Sequence, residues 1–125
     1  KAFELENQFE ILARRTDLRV FTVFDQGLIQ YQKNMIYEGL DVLIGTPKRL
    51  SELVKINGIP LTKIKMFVVD DADILTIDKH ILIYRVADVI VKSQFIIVGR
   101  VWHRHFEKLS QRIMKNPKMV KLDNK

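Results

Sequence analysis

IKMFVVDDADIL (residues 64–75) runs an apolar stretch straight into Asp70 and Asp71, then Ala72 and a third carboxylate at Asp73. A short apolar run without alternation suits a strand buried on both faces, as strands of parallel sheets are. In such sheets, ligands gather outside the carboxyl ends of the strands. A carboxylate there can hold Mg²⁺ through its waters, and a neighbour can orient or deprotonate an attacking water. Asp70 and Asp71 are therefore candidate catalytic residues, with Asp70 the candidate metal-holding group through water. The competing structural reading is that Asp71 and Asp73 cap the segment that follows.

Working outward, the pattern alternates. DVLIG (41–45) is a second short apolar run. Thr46 can cap the next helix, with Pro47 in its first turn, and PKRLSELVKI stops near Gly58. LRVFTVF (18–24) is β-branched and aromatic, hence a strand, and Gly27 breaks it. LIQYQKNMIYEG (28–39) reads as a helix closed by Gly39. Phe3, Leu5, Phe9, Ile11 and Leu12 predict an opening helix with Asp17 near its end. DKHILIYRVADVIVK (78–92) reads as a largely buried helix, and QFIIVG (94–99) as a further strand. Trp102, Phe106, Leu109 and Ile113 make a helical stripe, which places both aromatic rings in the core. Pro117 ends that helix, and MVKL (119–122) is read as a last strand. Helices alternating with strands predict an α/β fold: three layers, a mainly parallel sheet, helices on both faces, and one domain over residues 1–125.

With 47% hydrophobic and 29% charged residues, the chain has the composition of a globular protein with a real core. There is no cysteine, which excludes disulfides and thiolate metal sites and fits a reducing cytoplasm. Charged residues cut the longest apolar stretch at Arg85, Asp88 and Lys92, so no membrane span is expected. The first residues, KAFELENQFE, read as the inside of a helix, so the chain is expected to be part of a longer one. The net charge of +6 is uneven: residues 1–98 hold 13 basic and 13 acidic side chains, residues 99–125 hold 8 and 2. A basic end attracts nucleic acid, though a solvated helix face explains it as well.

GTPKRL (45–50) carries the second candidate site. A helix start after a buried strand offers free N–H groups and a positive dipole end. Thr46 adds a hydroxyl, and Lys48 and Arg49 add charge, a set that can hold a nucleic-acid phosphate. A capped helix with two exposed cations is the structural alternative.

Together, GLDVLIGTPKRLSEL and IKMFVVDDADIL resemble the first RecA-like domain of DEAD-box RNA helicases. Thr46, Pro47 and Arg49 match the family's Thr-Pro-Gly-Arg motif, with Lys48 in the glycine place. Asp70, Ala72 and Asp73 match its Asp-Glu-Ala-Asp motif, with Asp71 in the glutamate place. FELENQ is similar to the Arg-Glu-Leu-Ala-x-Gln stretch at Glu4, Leu5 and Gln8. Gln26-Gly27 in FDQGLIQYQ stands in the place of the glycine doublet. QFIIVGRV falls where the family has a strand ending in Ser-Ala-Thr, and NPKMVKL is like its closing segment. The resemblance covers essentially the whole chain.

It implies RNA, single-stranded, as partner at Gln26, Gly27, Thr46, Lys48 and Arg49. It implies coupling roles for Asp73 and Arg100, and ATP with Mg²⁺ as cofactors of the intact protein. The departures are expected to remove activity from this chain. No G-x-x-x-x-G-K-[ST] phosphate loop is present. Gly99-Arg100-Val101 replaces Ser-Ala-Thr, and both hydroxyls are lost. Asp71 is one methylene shorter than glutamate, and a misplacement of about 1 Å can cost roughly 100-fold. Lys48 forbids the closest backbone approach that a glycine allows. A second RecA-like domain is absent too. This chain alone is therefore expected neither to hydrolyse ATP nor to unwind RNA.

Two other readings compete. A degenerate helicase-like domain can bind RNA or a protein partner without turnover, and an exposed sheet edge can promote a homodimer. FVVDDAD also resembles the first strand of two-component receiver domains. A receiver needs a phospho-acceptor Asp at a later strand end, and QFIIV has none. His103 and His105 point to different sides of a helix and make no metal pair. Arg104, Lys108, Arg112 and Lys115 share a helix face that can meet RNA phosphate.

Overall fold

The structure, a computed structural model, describes residues 2–14, 16–90, 92–102 and 104–121. Its elements run α1 (Ala2–Ala13), β1 (Val20–Val23), α2 (Ile29–Glu38), β2 (Val42–Gly45), α3 (Pro47–Lys55), β3 (Met66–Val69), α4 (Ile77–Ala87), β4 (Gln94–Ile97) and α5 (Arg104–Ile113). Short 3₁₀ turns at Leu61–Lys63 and Ala72–Ile74 flank β3.

Local chemistry explains the boundaries. Gly39 closes α2 with φ 117°, a backbone conformation that favours glycine, and its N–H donates to the Ile36 carbonyl. Thr46 is extended, and its Oγ1 accepts the Arg49 N–H at 3.3 Å, so it caps α3 with Pro47 in the first turn. The helix over 78–92 stops at Ala87, earlier than the apolar pattern predicts, because Asp88–Ile90 turn back on its last carbonyls.

β1 pairs in parallel with β2 from Val20↔Val42 to Val23↔Gly45, and β3 with β4 from Met66↔Gln94 to Val69↔Ile97. α2 bridges the first pair and α4 the second, so the chain is built from two βαβ units. The single sheet expected from the sequence is, among the described residues, two two-stranded parallel ladders. Each has its own core. Val23, Ile36, Leu53 and Ile59 gather around the first. Val69, Ala72, Ile83, Ala87, Phe106, Leu109 and Ile113 gather around the second. The two halves meet where α3 packs on α4, and α1 lies against β1 and β2.

Three expectations need correction. β3 is not buried on both faces: Phe67 and Val69 turn to the core, while Met66 and Val68, alternating with them, are 53% and 52% exposed. Trp102 precedes α5 and is 46% exposed; it packs its ring on Phe106, 4.9 Å between centroids, and only Phe106 enters the core. Residues 119–121 form no strand, and Leu122 lies outside the described residues.

The approach to β2 is held by a polar clasp. Asp41 Oδ2 accepts the Arg19 N–H at 2.8 Å and the Arg19 Nε–H at 3.3 Å, while the Asp41 and Val42 N–H groups donate to the Arg19 carbonyl. The Arg19 backbone N–H, then its side chain, hold the Asp41 carboxyl below the ordinary aspartate value. A carboxyl depressed on folding stabilises the fold above its unfolded pKa, and that contribution fades as pH falls through the folded value. Urea unfolding of Asp41→Asn should therefore show a weaker loss of stability than wild type below about pH 4. Parallel pH profiles would remove the clasp from the account.

Candidate nucleic-acid interface

The loop Phe24–Gly27 leaves β1 and meets the start of α3. Three carbonyls of this loop are held by side chains from elsewhere. Gln32 Nε2 donates to the Phe24 carbonyl at 3.3 Å and the Gln26 carbonyl at 3.4 Å. Arg49 Nη2 donates to the Asp25 carbonyl. Thr46 Oγ1 donates to Asp25 Oδ1 at 2.5 Å. Gly27 has φ 99°, and a Cβ added there would lie 3.3 Å from Gln32 Nε2, so conformation and space both favour glycine.

Among the described residues no peptide is cis, so each carbonyl turned toward Gln32 or Arg49 leaves the next N–H pointing the other way. Those next residues are Asp25, Gln26 and Gly27, of which Gln26 and Gly27 are exposed. The loop therefore turns main-chain N–H groups away from its braces, and such groups can donate to an anion. The N-terminus of α3 and exposed Lys48 stand beside it.

Of the residues anticipated for nucleic acid, Thr46, Gln26, Gly27 and Arg49 come together here. Arg49 does so differently from expectation: it is not an exposed cation. It is 8% exposed, donates to the Asp25 carbonyl, and holds Glu52 Oε1 3.7 Å from Nε. That last separation makes an ion pair but is too long for a hydrogen bond. Arg49 is thus a brace beneath the loop.

The carboxylates after β3 form a second place. The ladder continues past the strands, with the Val98 N–H on the Val69 carbonyl and the Ala72 N–H on the Val98 carbonyl, both 2.9 Å. This draws the turn of Ala72–Ile74 to the end of β4. Asp70 Oδ1 accepts the Asp71 N–H at 2.9 Å, and Asp71 is left-handed, φ 51° and ψ 41°, which Asp tolerates better than most residues. Asp73 Oδ2 accepts the Val101 N–H at 3.3 Å, joining this turn to the segment after β4. Arg100 is exposed.

Gly99 explains how that segment accommodates its lost hydroxyl. A Cβ there would stand 2.2 Å from Phe106 Cε2 and 3.0 Å from Asp73 Oδ1. The Phe106 ring therefore fills the space a serine would need. Among the described residues no group of three or more His, Cys, Asp or Glu side chains could hold a metal ion. Asp70 and Asp73 each give one carboxylate oxygen to a backbone N–H, which leaves Asp70 with acceptor sites for a metal-bound water.

One remaining sequence candidate changes. Arg112 is paired twice with Asp88 at 2.8 Å, which raises its pKa, and lies over the Tyr84 ring at 5.2 Å. It leaves the proposed basic stripe, whereas Arg104, Lys108 and Lys115 stay exposed. His103 lies outside the described residues, and His105 is exposed. Sequence reasoning missed Asp25 and Gln32. Gln32 falls between Ile29 and Ile36 on the inward stripe of α2, and a buried amide on such a stripe is a signal of a loop clamp.

Parallel βαβ units that bring a capped Thr-Pro helix and an Asp-x-Ala-Asp turn to the carboxyl ends of their strands define a RecA-like α/β domain. The DEAD/DEAH box helicase profile matches residues 2–99, and the chain belongs to that family. It is 32% identical to the ATP-dependent RNA helicase RhlB of Shewanella denitrificans over 72 residues, covering 58% of this chain and 17% of that protein. It is 26% identical to DEAD-box ATP-dependent RNA helicase 9 of Oryza sativa subsp. japonica, covering 97% of this chain and 19% of that protein. A DEAD box protein from the hyperthermophile Methanococcus jannaschii superposes with a TM-score of 0.84 at 17% identity, over 92% of this chain and 32% of that one. A hypothetical ATP-dependent RNA helicase from Sulfolobus tokodaii gives 0.80 at 18% identity, over 94% and 36%. The chain thus spans under a fifth of the curated relatives it matches. No helix among the described residues is long and apolar enough to cross a membrane.

Proposed function

We propose that this chain contributes an RNA phosphate grip to a longer DEAD-box-type protein and does not itself turn over ATP. The observation that carries this reading is the convergence of Gln26 and Gly27 with the capped start of α3, held by Gln32 and Arg49. Backbone amides and a helix N-terminus recognise phosphate without reading bases, so binding has little sequence preference, and the family resemblance points to a single strand as the ligand. Lys48 supplies the exposed charge. ATP and Mg²⁺ enter only through the intact protein, since these residues contain no phosphate loop.

The non-catalytic reading is favoured over an active helicase site by Phe106, which occupies the space of the family's serine beside Gly99, and the receiver-like reading falls with the family match. Residues of the second RecA-like domain, or a homodimer, are partners outside this grip.

The test is titration of fluorescent oligouridylate by anisotropy at several salt concentrations. Each phosphate contact contributes roughly 0.7 to the slope of log K against log[salt] for single strands. Lys48→Glu should weaken binding several-fold and reduce that slope. Unchanged affinity and slope would remove the α3 start as the grip.

A further inference from the structure

We propose that the Asp25 carboxylate is a built-in competitor for phosphate at the start of α3, holding RNA affinity below what the grip could reach. The inference rests on the phosphate-grip reading above and adds a residue that sets its strength.

A hydroxyl has one proton to donate and can accept as well. Thr46 Oγ1 accepts the Arg49 N–H and gives its proton to Asp25 Oδ1. The one proton that this cap could offer an incoming phosphate oxygen is therefore committed to a carboxylate of the same chain. That carboxylate also places a negative charge at the positive end of a nine-residue helix, where an anion is favoured. An approaching phosphate meets its repulsion and must displace it from Thr46.

The brace of the loop is separable from this charge. Arg49, more than nine-tenths buried, bonds the Asp25 main-chain carbonyl, and Gln32 bonds the carbonyls of Phe24 and Gln26. None of these contacts uses the Asp25 side chain. Asn at position 25 keeps an oxygen that can accept the Thr46 proton, so it removes the charge and leaves the cap. Ala removes the charge and frees the hydroxyl.

The experiment measures oligouridylate affinity by anisotropy for the full chain, with thermal melts as folding controls. Asp25→Asn should bind about tenfold more tightly, corresponding to roughly 1.4 kcal/mol. Asp25→Ala should bind at least as tightly as Asp25→Asn. Asp17→Asn makes the same charge change at an exposed residue away from α3 and should shift affinity less than twofold. Wild-type affinity in both Asp25 variants, with Lys48→Glu still weakening binding, overturns the competitor and leaves the grip standing. An equal gain in Asp17→Asn overturns it as well, since net charge alone would then explain the effect. Unchanged binding in Lys48→Glu refutes the grip, and the competitor with it.

Discussion

Gly99→Ser should destabilise the protein by about 3 kcal/mol, at the upper end of what overpacking a core costs. The melting temperature should fall on the order of 10 °C. The new Cβ would lie 2.2 Å from Phe106 Cε2, far inside contact distance. A ring at the end of a mobile side chain could swing aside, but Phe106 is held. It is 8% exposed, belongs to the core with Val69, Ala72 and Leu109, and carries the Trp102 ring on its other contact. Asp73, 3.0 Å from the same Cβ, cannot retreat without losing the Val101 N–H. Phe106→Leu should relieve the clash, so Gly99→Ser costs less in that background than in wild type. Contacting positions commonly couple by about 0.5–3 kcal/mol, which a double-mutant cycle resolves. Wild-type stability for Gly99→Ser, or strictly additive costs, would show that Phe106 does not own this space. The functional corollary is that one substitution cannot return the family's serine: loss of the hydroxyl and placement of Phe106 are a single packing solution.

That pairing shows where the sequence was legible and where it stopped. Local chemistry was readable. Thr46-Pro47 announced a capped helix and Gly39 a helix end, because capping depends on residues within one turn. The alternation of helices with parallel strands followed from the apolar runs, but their division into two ladders did not. What could not be read depends on contacts between separate elements. Phe106 fills the space beside Gly99 from α5, seven positions on and across a turn. Gln32 and Arg49 meet a loop whose path is set by Gly27 and by the end of β1. Trp102 fitted the spacing of a helical stripe, but α5 begins at Arg104, after it, so its ring covers the core edge instead of entering it. β3 looked buried on both sides because an apolar run without alternation does not tell which face a neighbour covers.

Arg49 is the residue whose role changes most between sequence and structure, and its substitution should have the second large effect. Arg49→Ala leaves the Asp25 carbonyl without its donor and Glu52 without its cation, inside a site where Arg49 is 8% exposed. Stripping a partner from a buried polar contact costs about 1–3 kcal/mol, more when a charge is involved. A loss of about 2–4 kcal/mol in urea unfolding is expected, along with weaker RNA binding as the Phe24–Gly27 loop relaxes. Arg49→Lys separates a brace from a direct phosphate contact. A lysine keeps the charge but has no planar fork to reach both the loop carbonyl and Glu52. As a brace, Arg49 is not replaced by Lys, and both variants lose stability and affinity together. A direct contact predicts the reverse: stability near wild type, affinity largely kept in Arg49→Lys, and a salt slope reduced by roughly 0.7 in Arg49→Ala. The burial of the guanidinium favours the first outcome. On the proposed RNA-grip reading, the cation that matches the family's Thr-Pro-Gly-Arg motif would act by holding the Phe24–Gly27 loop in shape.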